Sequence, residues 1–84
     1  MNVQVLESGF TAAEIKLCIK SETGISVASR TIRRWRQRLD IRPCQFGTYT
    51  DKQLDALVSL AGWLYSGRSI DHFITVHFDL LKEL

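Results

Sequence analysis

The chain has 84 residues, of which 45% are hydrophobic and 24% charged, with one proline and a net charge of only +2. That length makes a single domain with a thin core, which staples or a partner subunit would help to stabilise, and the composition excludes a disordered or low-complexity chain. No apolar run approaches the roughly 18 residues of a membrane helix, and the opening MNVQVLESGF lacks the basic cluster and apolar run of a signal peptide, so a cytoplasmic protein is expected.

The first segment, NVQVLE, alternates Val3 and Val5 in the manner of a short strand, but six residues decide nothing. In FTAAEIKLCIKSETG, Thr11 and Glu14 have the spacing of a capping box, and Phe10 and Ile15 stand at the hydrophobic staple positions, so the first helix begins there. Ile15, Cys18, Ile19 and Glu22 follow helical spacing, and Gly24 is suited to the left-handed conformation that ends a helix. Cys18 reads as a buried thiol. With only Cys44 beside it in the composition, neither a disulfide framework nor a cysteine zinc site is indicated.

After the turn GISVAS comes SRTIRRWRQRLDIR, which holds six of the eleven basic residues, all arginine. Residues 28–42 carry a net +5, whereas 1–27 carry −1 and 43–84 carry −2. Ala28, Ile32, Trp35 and Leu39 form an apolar stripe that faces the core. Opposite it lie Arg30, Arg33, Arg34 and Gln37, flanked by Arg36 and Arg38. All are long donors suited to phosphates or guanine edges. Ordinary surface ion pairs mix signs at i, i+4; this face concentrates like charges that repel unless an anion sits opposite. Such a block marks a surface for an anionic partner.

Pro43 and Gly47 then interrupt helical structure, and Phe46 and Tyr49 supply aromatic anchors, so 41–49 is a short loop or hairpin wing. Cys44 reads as a passive loop cysteine, redox-sensitive only if exposed beside Arg42. Thr50 and Gln53 make a second capping box with the staple pair Tyr49 and Leu54. Helix three, 50–66, buries Leu54, Leu57, Ala61 and Leu64, and Gly67 ends it. Ser69 caps a fourth helix, 69–84, with Asp71 near the positive end of its dipole. There Ile70, Ile74, His77, Leu81 and Leu84 recur at intervals of four and three. Phe73, Val76 and Leu80 form a second stripe, and Phe78 lies on another flank. That is more apolar surface than one small core absorbs, so Ile70, Phe73, Ile74, His77, Phe78, Leu81 and Leu84 are the expected dimerisation residues.

The order of parts is that of a helix-turn-helix, residues 11–39, whose second helix enters the major groove. Val27, Thr31, Ile32, Arg33, Arg34 and Trp35 resemble the MerR-type pattern of valine, threonine, an aliphatic residue, arginine and two aromatics. GTYTDKQLDAL resembles that family's wing end and third helix, and GRSIDHF its turn into the fourth. The resemblance spans roughly residues 10–75 and implies a mainly α, winged helix-turn-helix domain with four helices, a short wing and a C-terminal dimerisation helix. By the same resemblance Arg33 is the DNA-contacting arginine, Trp35 packs and touches phosphate, and Thr31 lies at the groove entrance. Arg34 departs from the family by replacing the first aromatic, and the wing is shorter and lacks its arginine. The compact form is also similar to the small MerR-like repressors of CRISPR-associated transposons.

The expected DNA-binding residues are therefore Ser29, Arg30, Thr31, Arg33, Arg34, Trp35, Gln37, Arg38 and Arg42. The partners are double-stranded DNA at a promoter or operator and a second copy of the chain, with repression at an inverted repeat the plainest mechanism. No membrane, cofactor or small-molecule effector is expected. His72 and His77, five apart, lack the spacing of a helical metal pair, and no nucleophile–base cluster or phosphate loop suggests an enzyme. Two rival readings are an excisionase-like architectural factor that bends DNA and a protein-interaction or antitoxin-like module whose apolar last helix is the working surface.

Overall fold

Two of the helices begin with the same local grammar, an aromatic residue, a threonine and a glutamate or glutamine three residues on. The computed structural model describes residues 9–43 and 47–84, and these form helices α1 (Ala12–Thr23), α2 (Ser29–Arg38), α3 (Asp51–Tyr65), α4 (Ile70–Val76) and α5 (Phe78–Leu81). At the start of α1 the Glu14 amide donates to the Thr11 hydroxyl (3.2 Å) and the Thr11 amide to the Glu14 carboxylate (2.9 Å). Thr50 and Gln53 repeat the arrangement at α3, at 3.1 and 2.9 Å. Each box satisfies two amides that helix geometry leaves without partners.

The residues just before the two caps pair with each other. Phe10 and Tyr49 form an isolated antiparallel bridge, with both of its hydrogen bonds at 2.8 Å. The approach is close: a Cβ on Gly9 would lie 2.6 Å from that of Thr48. The starts of α1 and α3 are thereby tied side by side. Ile15 and Ile19 of α1 pack with Leu54, Leu57, Leu60 and Ala61 of α3 in a core that Ile32, Leu39, Ile41, Tyr49, Ala56 and Phe73 complete. Leu60 and Ala56 broaden the buried face of α3 beyond the stripe its spacing suggests, because α4 packs on a second side of it. Cys18 is half-buried, at the edge of the α1–α3 contact, and so is not the fully buried thiol expected.

The turn between α1 and α2 is held by local hydrogen bonds. Gly24, at φ 79°, donates its amide to the Lys20 carbonyl, the left-handed cap anticipated from glycine. Thr23 adds two bonds: its hydroxyl donates to the Ile19 carbonyl (2.7 Å) and accepts from the Ile25 amide (3.1 Å). The end of α2 uses a different residue for the same purpose. Asp40 is left-handed (φ 57°), its amide bonding the Gln37 carbonyl while the Ile41 amide bonds that of Arg36 (2.8 Å). This 6→1 and 5→2 pair drives Ile41 into the core.

Of the 41–49 segment, expected as a short loop or hairpin wing, the anchor Tyr49 pairs with Phe10, whereas the anchor Phe46 and the loop residue Cys44 fall outside the described residues, as do Val3 and Val5. One expectation needs correction: the last helix is not continuous from 69 to 84. It breaks at His77, whose backbone leaves the helical region (φ −105°, ψ 22°), separating α4 from α5. The cause is competition for carbonyls. Thr75 turns its hydroxyl back to the Asp71 carbonyl (3.0 Å), a bond that bends helices, and the Phe73 carbonyl faces both the His77 amide and its ring Nδ1, each at 3.0 Å. No helix among the described residues is long and apolar enough to cross a membrane.

Asp40 is the one non-glycine described residue with positive φ. Asp40→Gly should therefore stabilise the fold by about 1 kcal/mol, since a Cβ in that conformation costs roughly this much. A urea titration should show a higher midpoint with an unchanged slope.

Candidate nucleic-acid interface

Five arginines in a ten-residue helix must go somewhere other than the core, and α2 sorts its side chains accordingly. Ile32 and Leu39 are buried and Trp35 packs half-buried against the same cluster, as the apolar stripe requires; Ala28, at the exposed N-cap, does not join them. Ser29, Arg30, Arg33, Arg34, Gln37 and Arg38 are exposed, while Thr31 and Arg36 are half-buried. Arg30, Arg33, Arg34 and Gln37 fall at i, i+3, i+4 and i+7, one continuous strip on the side away from Ile32. The α2 N-terminus has no side-chain cap and no acid in its first turn, so its leading amides add a positive end to the strip.

Two of the nine residues anticipated for this surface form ion pairs within the chain. Arg38 forms an ion pair with Asp71, in the first turn of α4, and the Arg42 Nε lies 3.6 Å from the Asp40 carboxylate. Among the described residues, no acidic side chain pairs with Arg30, Arg33, Arg34 or Arg36. Lys16 of α1 reaches the Ser29 hydroxyl at 3.4 Å, which places one more cation at the head of the strip. The sequence singled out neither Asp71 nor Lys16 here. Asp71 stands 33 residues from its partner, beyond any local spacing signal.

The C-terminal segment sorts its apolar side chains as well. Phe73, expected at a subunit interface, is only 2% exposed and belongs to the subunit's own core; Ile70, Ile74, Leu81 and Leu84 pack half-buried against that core. Val76, Phe78 and Leu80 remain 55%, 57% and 52% exposed. The reason is the break at His77, which sets α5 in a new direction and lets Leu81 and Leu84 line a groove with Lys52, Asp55, Ala56 and Ser59 of α3. Trp63 is a structural hub rather than a ligand platform. Its Nε1 donates to the Ser69 carbonyl (2.8 Å), the rings of His72, Phe73 and His77 stand edge-on to it at 5.2–5.6 Å, and the Arg68 guanidinium lies 4.5 Å from its ring centre. No group of three potential metal ligands occurs among the described residues.

The Arg38–Asp71 pair is exposed, 48% on the arginine side chain and 82% on the aspartate, so water screens it and its contribution to stability is small. A double-mutant cycle on Arg38→Ala and Asp71→Ala should return a coupling below about 1 kcal/mol in urea unfolding. Comparison of the chain with protein-family models, with curated proteins and with solved structures finds no match.

Proposed function

We propose that this chain is a sequence-specific regulator of transcription that binds double-stranded DNA, a MerR-like helix-turn-helix protein acting as a dimeric repressor at an inverted-repeat operator. One observation carries the reading: Arg30, Arg33, Arg34 and Arg36 share one short helix and have no acidic partner among the described residues. Like charges three and four residues apart repel along a helix, and a polyanion laid against it removes the repulsion. α2 suits the purpose because it is the second helix of a helix–glycine turn–helix unit, with its apolar side held by Ile32 and Leu39 and its donors turned to solvent.

Such a helix reads only a few base pairs, and a second subunit at fixed spacing turns the second half-site into an intramolecular encounter. Exposed Val76, Phe78 and Leu80 favour that tether at α5 and the end of α4, with Ile74 and Leu81 at its edge. The same apolar patch favours the rival protein-interaction reading, which differs in being insensitive to salt and to DNA. On binding, the repressor covers the promoter, and no small-molecule effector takes part.

Filter binding or fluorescence anisotropy across a salt series tests the first part. Affinity for duplex DNA should fall steeply with salt, by a log–log slope of about −0.9 per phosphate neutralised, and Arg33→Ala with Arg34→Ala should make the slope shallower. A folded wild-type protein whose duplex binding is absent, or indifferent to salt, refutes the reading.

The tether has its own test. Phe78→Arg or Leu80→Arg puts a cation on the exposed patch, which costs several kcal/mol if the patch is buried between subunits. Because neither side chain belongs to the core, helical circular dichroism should be retained while the protein sediments as a monomer. Affinity should fall far more for the inverted repeat than for a single half-site, and a wild-type protein already monomeric on DNA excludes the dimer.

A further inference from the structure

We infer that the base-reading set is Arg30, Arg33, Arg34 and Gln37 alone, and that the half-site it selects is guanine-rich, with an adenine at the end facing Gln37. The inference rests on the DNA-binding reading above and deepens it. Its first support is which arginines are free. Six lie between residues 29 and 42, but Arg38 is turned to Asp71 on α4, Arg42 to Asp40, and Arg36 is half-buried on the flank of the strip. Arg30, Arg33 and Arg34 are exposed, have no acidic partner among the described residues, and share one strip with exposed Gln37.

The second support is the chemistry of that strip. It has no carboxylate, no hydroxyl and no exposed apolar side chain; apart from the amide oxygen of Gln37, every polar group on it is a donor. In the major groove guanine alone presents two acceptors and no donor, N7 and O6, which match the two-pronged guanidinium. Cytosine presents an amino donor that an arginine cannot accept. Thymine offers one acceptor beside a methyl group for which the strip has no apolar partner. Adenine pairs a donor with an acceptor, and only Gln37 complements both. From Arg30 to Gln37 is seven residues, about 10 Å along the axis or roughly three base-pair steps, so the guanines and the adenine fall within one short window. Arg38, turned to Asp71, lies outside this window and makes no base contact.

Selection of duplexes from a randomised library by the full chain tests this. Wild type should enrich sites with at least two guanines and a terminal adenine within about four base pairs. Arg34→Ala and Arg34→Lys should both lose discrimination at one guanine by roughly ten- to a hundredfold. The lysine variant should keep the salt slope, since it preserves the charge but not the two-pronged geometry. Gln37→Ala should relax only the adenine. Arg38→Ala and Asp71→Ala should select the same motif as wild type. An enriched motif without guanine preference, or one that changes in Arg38→Ala but not in Arg34→Ala, overturns the inference while leaving DNA binding intact. Failure to enrich any duplex overturns the DNA-binding reading itself, and this inference with it.

Discussion

Repulsion along α2 is the constraint to which the rest of the structure answers. Half of its ten residues are arginine, at spacings that set like charges three and four apart, and a helix this short gains little from its own hydrogen bonds. Burial holds it instead. Ile32 and Leu39 insert into the core, and the left-handed turn at Asp40 brings Ile41 in behind them, so the helix is anchored at its middle and just past its end. Among the described residues the acids that pair with its arginine block are Asp71 and Asp40, and both act at the C-terminal end. The N-terminal two-thirds of the strip is left cationic, and the repulsion along it destabilises the protein slightly.

The frame that carries α2 is built from two helices whose starts are locked together. Phe10 and Tyr49 serve in two ways: each precedes a capping threonine, and each gives its backbone to the bridge that joins the segments. Gln53 extends the arrangement by closing the second capping box and donating its side-chain amide to the Arg42 carbonyl (3.0 Å), which fixes the chain leaving α2 against the start of α3. As a buried polar residue, 5% exposed, it has these bonds to offset its desolvation. The place of α2 is thus set by backbone ties on both sides of it, and its exposed side chains are free to vary in chemistry without altering the fold.

At the other end of the chain the break at His77 divides the apolar residues between two uses. Phe73 goes inward beneath Trp63, and Leu81 and Leu84 fold back towards α3, whereas Val76, Phe78 and Leu80 face outward. An unbroken helix would have kept each of its two stripes on one side along its whole length. The bend lets a small domain enlarge its own core and still present an apolar patch, and Arg38–Asp71 links that half of the molecule to α2.

What the sequence determined by itself is what depends on residues within about four positions of one another. Both capping boxes, the Gly24 cap, the Ser69 cap and the core stripe of α3 are local hydrogen-bond or periodicity signals, and they stand where the spacing puts them, save that Leu64 of the stripe is half-buried. The +5 block and its placement opposite Ile32 and Leu39 were legible for the same reason. Tertiary structure alone decided which arginines remain free, because Asp71 is distant in the chain and reaches Arg38 only once α4 has packed on α3. It also decided the Phe10–Tyr49 bridge, which joins residues 39 positions apart where a short loop or hairpin wing was expected. It decided the fate of the last helix too. Thr75 and Val76 are β-branched neighbours that hint at a weak point, but periodicity counts side chains and does not register competition for a carbonyl. Whether an apolar residue such as Phe73 faces its own core or a partner is a property of the direction the helix takes, and that direction exists only in the folded chain.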